Sequence, residues 1–183
     1  PIYFDSKKSS HLFELNDRFD FLKDLYSKNK LPNVLMLSGQ KGLGKSTLIN
    51  HLLFYIFDKN NYDVKNYNFD NKSSFYNQFL SNIFSNIIYL SGSDFKNIKI
   101  EDIRNLKSKI LKTTILNKPR FIIFDDVELF NNNSLNALLK ILEEPSKNNH
   151  FVLINNLSNP LIDTIKSRCL EIKILLNKKK RLN

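Results

Sequence analysis

The stretch Gly39-Gln40-Lys41-Gly42-Leu43-Gly44-Lys45-Ser46-Thr47 holds the most chemically specific spacing in this sequence. It reads G-x-x-x-x-G-K-[ST], the phosphate-loop pattern. Gly39, Gly42 and Gly44 let successive backbone N–H groups turn inward around phosphate oxygens. The helix that opens after them points its positive end at the same anion. Lys45 is placed to reach the β- and γ-phosphates, and the Ser46 hydroxyl to ligate Mg²⁺. Thr47 completes the loop, and the implied ligands are a nucleoside triphosphate and Mg²⁺. An ordinary glycine turn capping a helix is the alternative. The context argues against it: the apolar run Val34-Leu35-Met36-Leu37 precedes the loop, and a helical apolar pattern (Leu48, Ile49, Leu52, Leu53, Tyr55, Ile56) follows. Three of the chain's four glycines lie in this loop.

A second cluster sits at Asp125-Asp126, after the continuous apolar run Phe121-Ile122-Ile123-Phe124. Such a run suits a central strand covered on both faces. It delivers both carboxylates to the carboxyl edge of a sheet, where ligands bind in open α/β folds. Asp125 is assigned to the metal through water, and Asp126 to polarising the attacking water. Taken alone the pair reads equally as an acidic turn capping a helix; the phosphate loop shifts the balance to chemistry.

The elements that must position these groups follow from hydrophobic periodicity. Leu12, Leu15, Phe19, Leu22, Leu25 and Tyr26 predict an amphipathic helix over 12–26. Strands are expected at 34–38, 87–90, 121–124, 151–154 and 170–174. Helices are expected from the phosphate loop to about Asp58, over 75–84, from 100 to 111, over 133–144, and in a short piece ending near Ser167. Residues 59–86 are the least legible. Strands alternating with helices predict an α/β fold, a P-loop NTPase with a five-stranded parallel sheet flanked by helices.

Composition bounds the rest. The 183 residues carry a formal net charge of +10 and 42% hydrophobic residues, enough for one sizeable core. No apolar run approaches the roughly 18–20 residues of a membrane span, so no membrane partner is expected. The lone cysteine, Cys169, permits no internal disulfide, and a reducing, cytoplasmic setting is the simple expectation. Nothing supplies a base to activate it, so it is expected as a small buried residue. The lysines are scattered except at Lys178-Lys179-Lys180-Arg181, which reads as a solvated linker or a nucleic-acid contact.

From Pro119 to Glu171 the sequence resembles the ATPase domain of clamp-loader subunits, a branch of the AAA+ superfamily. The resemblance rests on Phe124-Asp125-Asp126-Val127, on Asn136-Ala137-Leu138-Leu139-Lys140-Ile141-Leu142-Glu143-Glu144-Pro145, and on Ser167-Arg168-Cys169. Leu31-Pro32-Asn33 and Ile98–Arg104 resemble further family segments. Within the family two features lean to the delta-prime type over the gamma/tau motor type. One is Asp-Asp in place of the motors' Asp-Glu. The other is the lack of a four-cysteine zinc module in 59–86.

The resemblance implies a role in DNA polymerase III, loading the sliding clamp on primer-template DNA beside gamma/tau and delta subunits. It makes Asn156, less so Asn155, the sensor at the γ-phosphate or the water. Arg168 becomes an arginine finger acting in trans on a neighbour's ATP. Aspartate is one methylene shorter than glutamate, so Asp126 is expected to support ATP binding with slow hydrolysis. A gamma-type motor and a non-hydrolysing scaffold remain as alternatives. Residues 1–176 are expected as the ATPase domain and 177–183 as a basic linker toward a lid domain and a collar through which subunits assemble.

Overall fold

The computed structural model describes residues 5–93, 100–110, 118–145 and 148–175. The segment 177–183 and residues Asp94, Ile98, Lys99 and Leu111, on which expectations were placed, lie outside them. In chain order the elements are α1 (Asn16–Ser27), β1 (Val34–Ser38), α2 (Lys45–Phe57), β2 (Tyr62–Asp63), β3 (Asn68–Phe69), α3 (Ser74–Leu80), β4 (Ile87–Ser91), α4 (Ile100–Ile110), β5 (Arg120–Asp125), α5 (Asn132–Leu142), β6 (Asn149–Asn155), α6 (Asp163–Lys166) and β7 (Leu170–Lys173). They fall into two units, Pro1–Leu31 with Gly44–Ile87, and Pro32–Leu43 with Ile88–Asn183.

The second unit is built on the sheet, ordered β4-β5-β6-β1-β7. Strand pairs β5–β6, β6–β1 and β1–β7 are parallel. All five residues of β1 are buried, as its uninterrupted apolar run requires. Met36, Ile122, Phe124, Phe151 and Leu153 on one face pack with Ile103 and Leu106 of α4 and with Leu135, Leu138 and Leu142 of α5. Helix α5 starts at Asn131, whose side chain accepts from Ser134 N at 2.9 Å. That N-cap sets the start. Register aligns Ser38 with Asn155, so the carboxyl ends of β1 and β6 meet, with β5 ending beside them at Asp125.

The first unit contains α1, α2, α3 and a small hairpin, β2–β3, that sequence periodicity did not predict. Two residues per strand are too few to show alternation. The hairpin is fixed by its turn, where Asp63 Oδ1 accepts from Lys65 N at 2.9 Å and Asn66 N at 3.2 Å. This is the Asx device by which aspartate initiates turns. The hairpin is then held by rings. Phe54 of α2 stacks on Phe69 with centroids 3.9 Å apart, and Phe19 of α1 lies over Tyr62 at 5.3 Å.

Two helices are shorter than the apolar spacing suggests. Leu12 lies before α1 and is extended beside the hairpin: its N–H donates to Tyr67 O, and Phe69 N donates to Ser10 O. Glu14, at φ 55, separates it from the helix. Helix α3 stops after Leu80 because Asn82 turns to φ 54, leaving Ile83 70% exposed and folding Phe84 back onto Phe75 at 4.8 Å.

His51 on α2 is fully buried. Its Nε2 lies 3.1 Å from the Ser9 carbonyl, which only accepts, so Nε2 carries the proton. Nδ1 then accepts from the Tyr62 hydroxyl at 3.0 Å. Burial pushes the imidazole pKa down to about 4, and the neutral ring satisfies both contacts.

Candidate functional site

Strands β5 and β6 end side by side, and the groups that follow them are joined. The Asn156 side-chain amide donates to Asp126 Oδ1 at 2.6 Å. Asp126 is 6% exposed and sits in the left-handed region at φ 50. Lys41, from the loop after β1, brings its Nζ to 3.9 Å from the same oxygen. The lysine is three-quarters exposed, so this ion pair is weak. Asp125 is half-buried and committed on both oxygens: Oδ1 accepts from Asp126 N at 2.9 Å, and Oδ2 accepts from the Tyr89 hydroxyl. Thus the structure brings together Asp126 and Asn156, with Asp125 alongside.

The phosphate loop begins at this edge. Gly39 N donates to Asn155 O at 3.2 Å, tying the loop to the end of β6. Gly39 has φ 156, and a Cβ there would lie 2.3 Å from Ile174 O, so no side chain fits. Gly42 and Gly44 take φ 85 and 80.

In the other unit, Gly44 is the N-cap of α2 and no side chain caps the helix. Helix N-termini are in general favourable places for anions. Lys45 is 2% exposed and Ser46 is half-buried. Thr47 Oγ1 is buried with no hydrogen-bond partner. The Thr47 hydroxyl is thus a buried polar group of the kind that a bound ligand satisfies.

Arg168 is not part of this cluster. It lies two residues before the first residue of β7, at the amino edge of the parallel sheet, whereas Asp126 follows the carboxyl end of β5. There the guanidinium donates to Glu143 Oε1 at 2.7 Å and to Thr164 O at 2.8 Å. It borders an open groove of ≈ 650 Å³ with Pro32, Asn33, Glu143 and Pro145. Cys169 is half-buried; its thiol donates to Ile165 O, and burial pushes its pKa up to about 11.

Sequence reasoning missed Lys41, Tyr89, Gly92 and Glu128. Gly92 backs the acidic pair: its N–H donates to Asp125 O at 2.9 Å, and a Cβ there would lie 2.5 Å from Asp126 O. Glu128 carried a readable signal, a carboxylate inside the apolar run Val127–Phe130. No group of His, Cys, Asp and Glu side chains among the described residues forms a ready-made metal cage. No described helix is long and apolar enough to cross a membrane.

A family model described as "DNA polymerase III, delta subunit" matches residues 15–178. The DNA polymerase III subunit delta' of Buchnera aphidicola subsp. Baizongia pistaciae is 26% identical over 146 residues, covering 78% of this chain and 44% of that protein. The DNA polymerase III subunit gamma of Buchnera aphidicola subsp. Schizaphis graminum is 27% identical over 150 residues, covering 81% and 40%. Among solved structures, a DNA polymerase III gamma subunit-related protein of Thermotoga maritima shares the fold with a TM-score of 0.60 at 23% identity, over 89% of this chain and 47% of that one. The chain spans less than half the length of each of these proteins. A phosphate-loop sequence on a five-stranded parallel sheet, with the match over 15–178, gives the conclusion that the chain belongs to the DNA polymerase III delta' clamp-loader family, of the AAA+ type.

Proposed function

We propose that this chain acts in a clamp loader as a delta' subunit. Beside gamma/tau and delta subunits it helps place the sliding clamp on primer-template DNA. In this reading Gly39, Gly42, Gly44, Lys45, Ser46 and Thr47 hold the phosphates of ATP. Ser46 ligates Mg²⁺, and Asp125 reaches the metal through its water shell. Asp126 polarises the attacking water, Asn156 is the sensor of the γ-phosphate or that water, and Arg168 serves the ATP of a neighbouring subunit.

The observation that carries the reading is the Asn156–Asp126 hydrogen bond, which couples the water-polarising carboxylate to the sensor amide at the sheet edge where the phosphate loop opens. The orphaned Thr47 hydroxyl supports phosphate as the ligand. The position of Arg168 at the opposite edge supports action in trans, since the guanidinium is remote from the chain's own Asp126. A neighbour's γ-phosphate would gain a charge-neutralising group worth on the order of 10³–10⁵ in rate in other NTPases. Hydrolysis at the chain's own site is slow in this reading, because the short Asp126 carboxylate is engaged by Asn156.

ATP turnover by a reconstituted loader with clamp and primed DNA tests this, comparing parent, Asp126→Asn and Arg168→Ala. Loss only in Arg168→Ala supports the delta' reading. Loss in Asp126→Asn as well supports the gamma-type motor, which the intact phosphate loop favours. Loss in neither leaves a scaffold and removes the finger assignment.

A further inference from the structure

Glu128 lies two residues past Asp126, in the 3-10 turn Val127–Leu129, and is 6% exposed. Both of its oxygens are taken by one loop. The Asn156 backbone N–H donates to Oε2 at 3.1 Å, and the Ser158 hydroxyl donates to Oε1 at 2.8 Å. A buried carboxylate demands such donors, so the arrangement is mutual: the loop solvates the charge, and the charge fixes the loop.

The loop needs fixing. Leu157, between the two donors, is in the left-handed region at φ 59, and its side chain is 56% exposed. Burial of Leu157 therefore does little to hold it there. A strained turn of this kind persists only where its surroundings over-determine it. The Leu157 N–H is taken by Asn155 Oδ1 at 3.0 Å, which closes the turn from within. Glu128 closes it from outside.

The same two segments are thereby joined twice. Glu128 grips the Asn156 backbone while Asp126 receives the Asn156 side chain at 2.6 Å. Pinning the backbone N–H fixes where the Cα–Cβ bond starts, and so decides whether the amide reaches Asp126. We infer that Glu128 is a positioning residue that sets the Asn156 loop so that the sensor amide is held on Asp126. The expected consequence for nucleotide rests on the function proposed above; the grip on the loop does not.

The test uses the full-length protein as parent, Glu128→Ala, Glu128→Gln, Asn156→Ala and the Glu128→Ala/Asn156→Ala double variant. Amide hydrogen exchange over residues 155–159 is read without nucleotide, and affinities for fluorescent ATP and ADP analogues are read separately. Glu128→Ala should accelerate exchange about tenfold or more, the equivalent of one lost hydrogen bond to a charged acceptor. Glu128→Gln, which keeps an acceptor for Asn156 N, should stay within about threefold of the parent. Glu128→Ala should also reduce the preference for ATP over ADP by about tenfold. Asn156→Ala should do the same, and the double variant should lose nothing further, because the two act through one contact.

Unchanged exchange in Glu128→Ala overturns the inference whatever the nucleotide data. So does accelerated exchange with an ATP preference that Asn156→Ala reduces and Glu128→Ala does not. A parent that binds neither analogue overturns the nucleotide reading alone. The exchange result then decides the grip by itself: acceleration in Glu128→Ala with retention in Glu128→Gln supports it, and equal acceleration in both overturns it.

Discussion

The side chain of Asn156 reaches across from the end of β6 to Asp126 at the end of β5, amide to carboxylate, at 2.6 Å. The two residues are thirty apart in sequence and directly follow neighbouring strands. The bond converts two separate strand ends into one site, and its loss should be measurable in the protein without nucleotide.

Hydrogen bonds to charged groups contribute about 1.5–3 kcal/mol. Asn156→Ala should therefore lower stability by about 2 kcal/mol, because Asp126 stays buried without its donor. Asn156→Asp should cost more, since it sets two carboxylates against each other. Urea denaturation of the three proteins checks this, and an unchanged midpoint in both variants would remove the bond from the site.

Gly39→Ala should be among the most damaging single changes in the chain. The added Cβ would stand 2.3 Å from Ile174 O, a backbone atom that is itself anchored because Ile174 N donates to Ser38 O at 2.7 Å. Relief requires moving the strand end, and a cost of roughly 3 kcal/mol or more follows. Thermal melting of parent and variant tests this; an alanine tolerated within about 1 kcal/mol would refute the close approach.

Phe69 is a central packing contact between the hairpin and α2. Phe69 is 3% exposed and stacked on Phe54 at 3.9 Å. Phe69→Ala should cost roughly 3–5 kcal/mol, the range for deleting a buried phenyl ring. Phe69→Leu should recover most of it. Chemical denaturation of both variants separates loss of volume from loss of stacking.

His51 predicts a pH dependence. Burial lowers its folded pKa to about 4, while the unfolded chain has the ordinary 6.5. Between these values the unfolded state binds the extra proton, so stability rises with pH through that window. It is fully present above pH 6.5, falls as the pH drops, and levels off below about 4, for a total on the order of 3 kcal/mol. His150, lowered by burial, adds to the same trend. Urea midpoints at several pH values should show this slope in the parent and a shallower one in His51→Gln. Equal slopes would exclude His51 as the source.

Arg168 and Glu143 form an exposed ion pair, with side chains 33% and 49% accessible. Such pairs contribute about 0–1 kcal/mol. Glu143→Gln and Arg168→Ala should each melt within a few degrees of the parent, so that any loss of loader turnover in Arg168→Ala reports function. A large drop in melting temperature for Arg168→Ala would assign it a structural role instead.

The legible parts of this protein were those set by local chemistry. The turn into α2 was readable because left-handed positions favour glycine, and Gly42 and Gly44 stand at them. The strands 34–38 and 121–124 were readable because a strand buried on both faces must be apolar without a break. The residues Asp125, Asp126, Asn156 and Arg168 were singled out through the apolar run and the resemblance, which do not say which side chains bond to one another. Tertiary structure decided that Asp126 joins Asn156 while Arg168 lies at the far edge, because strand order and parallel direction are set by long-range burial. It also decided the hairpin, whose strands are too short for periodicity, and the early ends of α1 and α3, where Glu14 and Asn82 take left-handed turns. Glu128 shows the same division. Its charge within an apolar run is visible in the sequence, but its donors, Asn156 and Ser158, are supplied by the loop after the neighbouring strand.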